Sequence, residues 1–378
     1  MACSRTRFCS TVWLFAFPFF ADCEQPTARL HPMSSAEVCG RCHFSIVETW
    51  KDSAHAHAMD SRLFQDAVAA AEDDLGAGAR AICMGCHAPM AAAGGDMKLD
   101  RKVSWEGVTC DYCHSVRSIE LDGANPRAKM DFSRIKRGPL TNVRSVGHPT
   151  AFSQEHTSSA ICAPCHEYKN AQGLAVLTTY SEWKGSGYGK ANKNCQACHM
   201  SLVAGKVADA KFERDPTSGV NLHKMSGSHS PMQLNKAVKL RVEMTHEGAQ
   251  AKVSVDVTNI AAGHSIPTGS PLRQMILEVT AKTLDGKEYK QRKVYTRTVR
   301  DAAGNILDKE HFVFLKGASI DSDTRLKPGE TRREFFSFDS PPGAPVEVKA
   351  TLSYYYSPFA RKQSDQKVNF LTLSQRLR

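Results

Sequence analysis

The sequence predicts a multidomain α plus β protein: a mostly helical and loop-rich unit packed around cofactors, followed by an all-β sandwich of immunoglobulin-like architecture. Three observations predict it. Five Cys-x-x-Cys-His pentapeptides fall between residues 39 and 199, cysteine then disappears, and alternating apolar runs begin near Lys236. A length of 378 residues gives room for two or three ordinary domains. The expected partition is 1–28 as a signal peptide, 29–235 as the cofactor-bearing unit and 236–378 as the sandwich.

The first segment carries Arg5 and Arg7, then the apolar stretch Val12 to Ala21, then polar residues from Asp22. That order is the pattern of a secretory leader, with cleavage expected between Ala21 and Ala28. Cys23 invites lipidation, but Asp22 stands where a lipobox has a small residue. An exported chain is expected, periplasmic, outer-membrane-associated or extracellular. After residue 22 no apolar run is long enough to span a bilayer.

Of the 13 cysteines, only Cys3, Cys9 and Cys23 lie outside the pentapeptides, so the spacing overrides the disulfide framework that an exported chain would suggest. The motifs are Cys39, Cys42, His43; Cys83, Cys86, His87; Cys110, Cys113, His114; Cys162, Cys165, His166; and Cys195, Cys198, His199. Two thiols three residues apart can add to the two vinyl groups of one porphyrin, and the following histidine then meets the iron. One such pentapeptide has a chance expectation of roughly 0.02 at this composition. Five therefore predict five covalently attached haems c. Roughly 32 residues per haem is too little polypeptide for a separate apolar core around each, so the haems themselves are expected to form the core.

Ten of the 15 histidines lie outside the motifs. Five would complete every iron with two histidines, a ligand set suited to electron transfer. The candidates are His55, His148, His156, His223 and His264. His55 and His57 stand on an expected helix after Trp50 and cannot both face one haem at two-residue spacing, and His55 is favoured. His148 and His156 precede the fourth motif on a loop-rich stretch. His223 is favoured over His229 on the segment after the fifth. His264 sits in the turn-like sequence Ala262-Gly-His264-Ser-Ile-Pro-Thr-Gly269. His31, His246 and His311 read as surface or hydrogen-bonding residues.

Beyond Lys236 seven strands are expected: Val238 to Met244, Ala251 to Val257, Met275 to Ala281, Arg292 to Val299, Phe312 to Leu315, Thr331 to Phe338 and Val346 to Tyr355. Turn formers at Asp285-Gly286, Ala303-Gly304, Pro328-Gly329 and Pro342-Gly343 separate them. Seven such strands in about 140 residues suggest an immunoglobulin-like sandwich. Tyr354, Tyr355 and Tyr356 read as strand packing.

The formal charge is +10, of which the residues from Lys236 onward supply about +8, with 24 Lys and Arg against 16 Asp and Glu. Five haems bring propionates worth roughly −5 to −10, depending on iron oxidation state. The loaded protein is thus near neutral or mildly basic, and the sequence pI of about 9.0 loses its force as a sign of nucleic-acid binding. A basic sandwich beside an acidic loaded unit is expected to dock on it and supply His264 to one haem.

Cys39-Gly-Arg-Cys42-His43 with Trp50 and Ser53-Ala-His55-Ala, together with Gly107-Val-Thr-Cys-Asp-Tyr-Cys113-His114, resembles the cytochrome c-554 type of multihaem cytochrome. That broad group shares haem-packing motifs with hydroxylamine oxidoreductase and the octahaem reductases. The segment Thr258 to Gly269 is similar to one in larger members with a β-rich C-terminal domain. The resemblance spans roughly residues 35 to 270. It implies that His55 and His264 are distal ligands, that haems stack in pairs, and that the chain serves respiratory or extracellular electron transfer. A fifth motif and a β-rich tail go beyond the c-554 pattern.

The leading functional expectation is an electron carrier working with redox protein partners. A multihaem oxidoreductase acting on nitrite, hydroxylamine or sulfur oxyanions needs one haem without a distal ligand. A subunit of a cytochrome filament, in contact with other cytochromes or with its own copies, is the third expectation.

Overall fold

The computed structural model describes residues 33–209, 219–358, 362 and 366–377. The expected signal peptide, Cys23 and His31 lie outside the described residues.

The first region is built from short helices and two-stranded ribbons. Each attachment motif closes a helical turn, because cysteines at i and i+3 and a histidine at i+4 share one face only on a helix. The second, third and fifth motifs lie within the helices Arg80–His87, Cys110–His114 and Cys195–His199, and the fourth ends Ala163–His166. The first straddles the end of Ala36–Gly40, yet the His43 amide still donates to the Cys39 carbonyl at 2.9 Å. Local signals set the helix starts. Asn194 caps Cys195–His199 by accepting from the Ala197 amide, and Ser61 caps Arg62–Leu75 by accepting from Phe64.

The expected helix through His55 is absent. The Phe44–Lys51 helix stops at Asp52, and residues 52–60 form successive turns. Ser53 is the reason: its hydroxyl accepts from the Ala56 amide at 3.0 Å, offering the backbone a local alternative to helix.

The second region holds two antiparallel sheets. One orders Thr331–Asp339, Gln250–Asn259 and Val238–Glu247; the other orders Glu288–Tyr295, Gln274–Lys282, Val346–Tyr355 and Lys367–Leu377. Register follows the period of two. Val253 lies opposite Met244 and Phe336, and Leu277 opposite Leu352. Ala251, Val253, Val255 and Val257 from the first sheet meet Met275, Leu277, Val348 and Leu352 from the second in one buried core. At Gly286 the φ of +84° supplies the left-handed turn expected between two strands.

Two strand expectations are revised and a further strand is added. Phe312 to Leu315 lies in a helix, Glu310–Lys316, with an acidic first turn and a basic last turn that suit the helix dipole. The expected strand from Arg292 to Val299 divides after Tyr295, its second piece Arg297–Arg300 pairing with Ser319–Asp323. Lys367–Leu377, unanticipated, closes the edge beside Val346–Tyr355.

The two regions meet through side chains. His311 donates from Nε2 to Asp74 at 2.8 Å, joined there by Lys309 at 2.6 Å. Val176 of the first region packs with Val299, Leu307 and Val313 of the second.

Candidate haem-binding site

Ten cysteines lie among the described residues, all of them in the motifs and none of them in a disulfide. They meet across motifs: Cys110 lies beside Cys39, Cys165 beside Cys86, and Cys162 beside Cys195. The third motif is therefore a neighbour of the first, and the fourth a neighbour of both the second and the fifth.

Four of the five motif histidines share one orientation device. The Nδ1 of His43 donates to the Val207 carbonyl at 2.7 Å, that of His87 to Ala58 at 2.9 Å, that of His114 to Arg137 at 2.5 Å and that of His199 to Ser226 at 2.7 Å. A carbonyl on Nδ1 fixes the tautomer and leaves the Nε2 lone pair for a metal. His223 does the same with Asn221, His264 with Ser265 and His148 with Pro149.

Four motif histidines face a non-motif histidine across a common gap. Ring centroids are 6.1 Å apart for His43 and His148, 6.2 Å for His166 and His55, 6.3 Å for His114 and His223, and 6.3 Å for His199 and His264. Two imidazoles bound to one metal, each with an N–metal distance of about 2 Å, have centroids about 6 Å apart. Among the described residues no group of three or more His, Cys, Asp or Glu side chains is arranged to hold a bare metal. Paired imidazoles thus leave open the four positions that a porphyrin fills.

Burial suits these rings to the same task. It pushes His166 and His114 down to about 3 and His55 to about 4, so all three are neutral at physiological pH. His166 nevertheless retains accessible surface. A ring set deep in the protein that still has free surface faces space enclosed by the fold, and the residues present therefore fit a large planar group.

The remaining candidates sort by position. His57 points outward, bonded to Asp60 at 2.9 Å, whereas His55 points inward against the Met225 thioether. Gly107 allows this: at φ +63° its hydrogen faces the His55 carbonyl, where a Cβ would come within 2.2 Å. His156 lies 5.2 Å from His114 and nearly parallel to it, closer than the facing pairs, and beside the imidazole that His223 faces. His87 is paired with no histidine among the described residues; the Phe64 ring stacks on it at 4.1 Å. His229 stacks on Tyr356 at 4.5 Å.

His264 reaches His199 from the loop after Gln250–Asn259. The Ser265 amide donates to Glu182 at 2.9 Å, and the same carboxylate accepts from Arg325 at 2.8 Å and pairs with Arg297 at 3.6 Å. A Cβ at Gly263 would sit 3.1 Å from the Trp183 ring, so the loop lies directly on the Thr179–Gly185 helix.

Sequence reasoning missed Phe64, Met225 and Glu182, which carry no motif signal. It also missed the orienting carbonyls, which no side-chain pattern encodes. Gly107 was visible, within Gly107-Val-Thr.

Residues 38–115, spanning the first three motifs, match the family model described as Cytochrome c554 and c-prime. The chain is 26% identical over 162 residues to cytochrome c-554 of Nitrosomonas europaea, an alignment covering 41% of this chain and 62% of that protein. The chain thus spans about three fifths of the length of that relative. Its fold is similar to that of a penta-heme cytochrome c552 from Thermochromatium tepidum, with a TM-score of 0.71 and 21% identity over 93% of this chain and 100% of the other. With repeated attachment motifs, carbonyl-oriented histidines and these likenesses together, the chain is a multihaem c-type cytochrome.

Proposed function

We propose that the chain binds five haems c and transfers electrons outside the cytoplasm, in respiratory or extracellular electron transport. The observation that carries this reading is the set of four facing histidine pairs at 6.1 to 6.3 Å. The ligand pairs are then His43 with His148, His166 with His55, His114 with His223, and His199 with His264. His156 becomes a packing neighbour. Bound haem supplies reversible one-electron chemistry at its iron. The chain's own part is to fix each porphyrin by two thioethers, hold the imidazoles neutral and oriented, and keep neighbouring attachment motifs side by side. Redox proteins, other cytochromes or further copies of the chain would be the partners.

In the same reading residues 1–28 are an export signal, 29–235 the haem unit and 236–378 an immunoglobulin-like unit that supplies His264. The strand order of its two sheets supports the last assignment. Among the described residues no helix is long and apolar enough to cross a membrane.

A second reading is favoured by His87, whose ring is covered by Phe64 and paired with no described histidine. A haem held there has one axial position without a protein imidazole, as a multihaem oxidoreductase requires. Two measurements on the purified protein test both readings. Intact mass should correspond to five attached haems. The spin-state spectrum should give four low-spin haems and one high-spin haem; five low-spin irons would remove the enzyme reading, and two or more high-spin irons would break the ligand assignment.

A further inference from the structure

The β-rich region brings a permanently charged side chain close to the second motif. Arg273, just before the strand Gln274–Lys282, donates from Nη1 to the Thr268 carbonyl at 3.3 Å, and the Tyr354 hydroxyl donates to that same carbonyl at 3.3 Å. Gly269, at φ +88°, makes the room, since a Cβ there would come within 2.8 Å of Nη1. Tyr356 packs 5.3 Å from Tyr354 and lies flat on His229 at 4.5 Å and 5°. Glu310, a carboxyl within reach of the Arg273 charge but not ion-paired with it, accepts from Ser270; burial pushes its pKa up, against the pull of Ser270 and Arg273.

Arg273 is deep in the protein yet keeps accessible surface, and its charge is felt at His87, His166 and His229. Among the described residues it forms no carboxylate ion pair. A guanidinium cannot shed its proton to escape burial, so a buried one calls for an anion.

We propose that Arg273, walled by His229, Tyr354 and Tyr356, binds an oxygen-bearing anion beside the second attachment motif. The inference rests on haem attachment at that motif, as proposed above. The planar guanidinium fork suits two sources of the same chemistry: a free small oxyanion, or a carboxylate of the tethered porphyrin.

The test uses the fully loaded protein with Arg273→Leu and Arg273→Lys, each first checked by mass for five haems. Absorption spectra are followed during titration with nitrite and with sulfite, with chloride as the ionic-strength control, and haem potentials are measured without added anion. For a free oxyanion, the wild-type protein gives a saturable change that weakens at least ten-fold in Arg273→Leu and less in Arg273→Lys. For a porphyrin carboxylate, added anions do nothing, while the potential of one haem falls in Arg273→Leu and largely recovers in Arg273→Lys. Either pattern supports the site and identifies its source. Unchanged anion response and unchanged potentials in Arg273→Leu overturn it. Should Arg273→Leu fail to load, the loaded Arg273→Lys decides by the same readouts, with a several-fold weakening or a partial potential shift expected. Five low-spin irons in the wild type would defeat the open-position reading alone, because the potentials still test Arg273.

Discussion

The β-rich region encloses 24 buried apolar side chains in one cluster, whereas the region before it gathers seven around Met59 and four around Trp50. Burial of apolar side chains is the main term that offsets the conformational entropy lost on folding. The sheets gather far more of it in one core than the short helices do. What the first region has instead is a set of inward histidines and thiols facing enclosed space. The comparison teaches that the first region takes its stability from what it binds, the second from what it packs.

The largest effect should come from withholding the cofactor. A chain produced without haem attachment is expected to leave residues 33–230 open to hydrogen exchange while the strands from Val238 onward stay protected. Equal protection in both regions would break the comparison. Its mirror image is a cavity in the second core. Leu277 is fully buried between the sheets, and Leu277→Ala should lower the stability of that region by about 2–5 kcal/mol. Chemical unfolding followed by tryptophan-independent circular dichroism would measure it, and the haem spectrum should be unaltered before unfolding begins.

The contact between the regions comes next. Glu182 is half-buried and joins Arg325, Arg297 and the Ser265 amide, so Glu182→Gln removes one of the two anions that the guanidinium groups share. Removing one partner of a buried ion pair costs about 3–5 kcal/mol, an upper bound for this partly accessible cluster because Asp323 also pairs with both arginines. The specific consequence is a looser His264, read as partial high-spin character at the fifth motif. Acid should do the same reversibly. Burial raises the Glu182 pKa, but Arg325, Thr178 and Ser265 together hold it below the ordinary carboxylate value. A depressed folded pKa means that the contribution is full above the unfolded pKa, about 4.3, and is lost as the pH falls through the lower folded value. A His264 signal that loosens on raising the pH from 5 to 8 would contradict this assignment.

Much of this was legible in the sequence because the relevant signals are local. Cys-x-x-Cys-His fixes a helical turn and a chemistry at once, and the period-two pattern around Val253 and Leu277 fixes a buried strand face. Failures arose where tertiary context decides. Phe312 to Leu315 has strand-like composition, yet Glu310 and Lys316 at its ends and the Val176 and Val299 side chains facing it favour a helix. The pairing of His223 with His114, 109 residues earlier in the chain, has no local signal, and neither does the choice of carbonyl that orients each ring.

The smallest expected effect sharpens the contrast between inward and outward groups at two nearby positions. His57 is more than half exposed, and the only polar partner described for its side chain is Asp60, three residues on. Exposed pairs of this kind contribute roughly 0.2–1 kcal/mol. His57→Ala should therefore shift stability by no more than that and leave every haem signal in place. His55→Ala removes a buried ring 6.2 Å from His166 and should convert one low-spin signal to high-spin. The two substitutions alter residues of the same chemistry two positions apart, so the difference between their spectra isolates the direction each side chain faces. A spectral change in His57→Ala without one in His55→Ala would reverse the assignment and require the 52–60 turns to present the opposite face to the fourth motif.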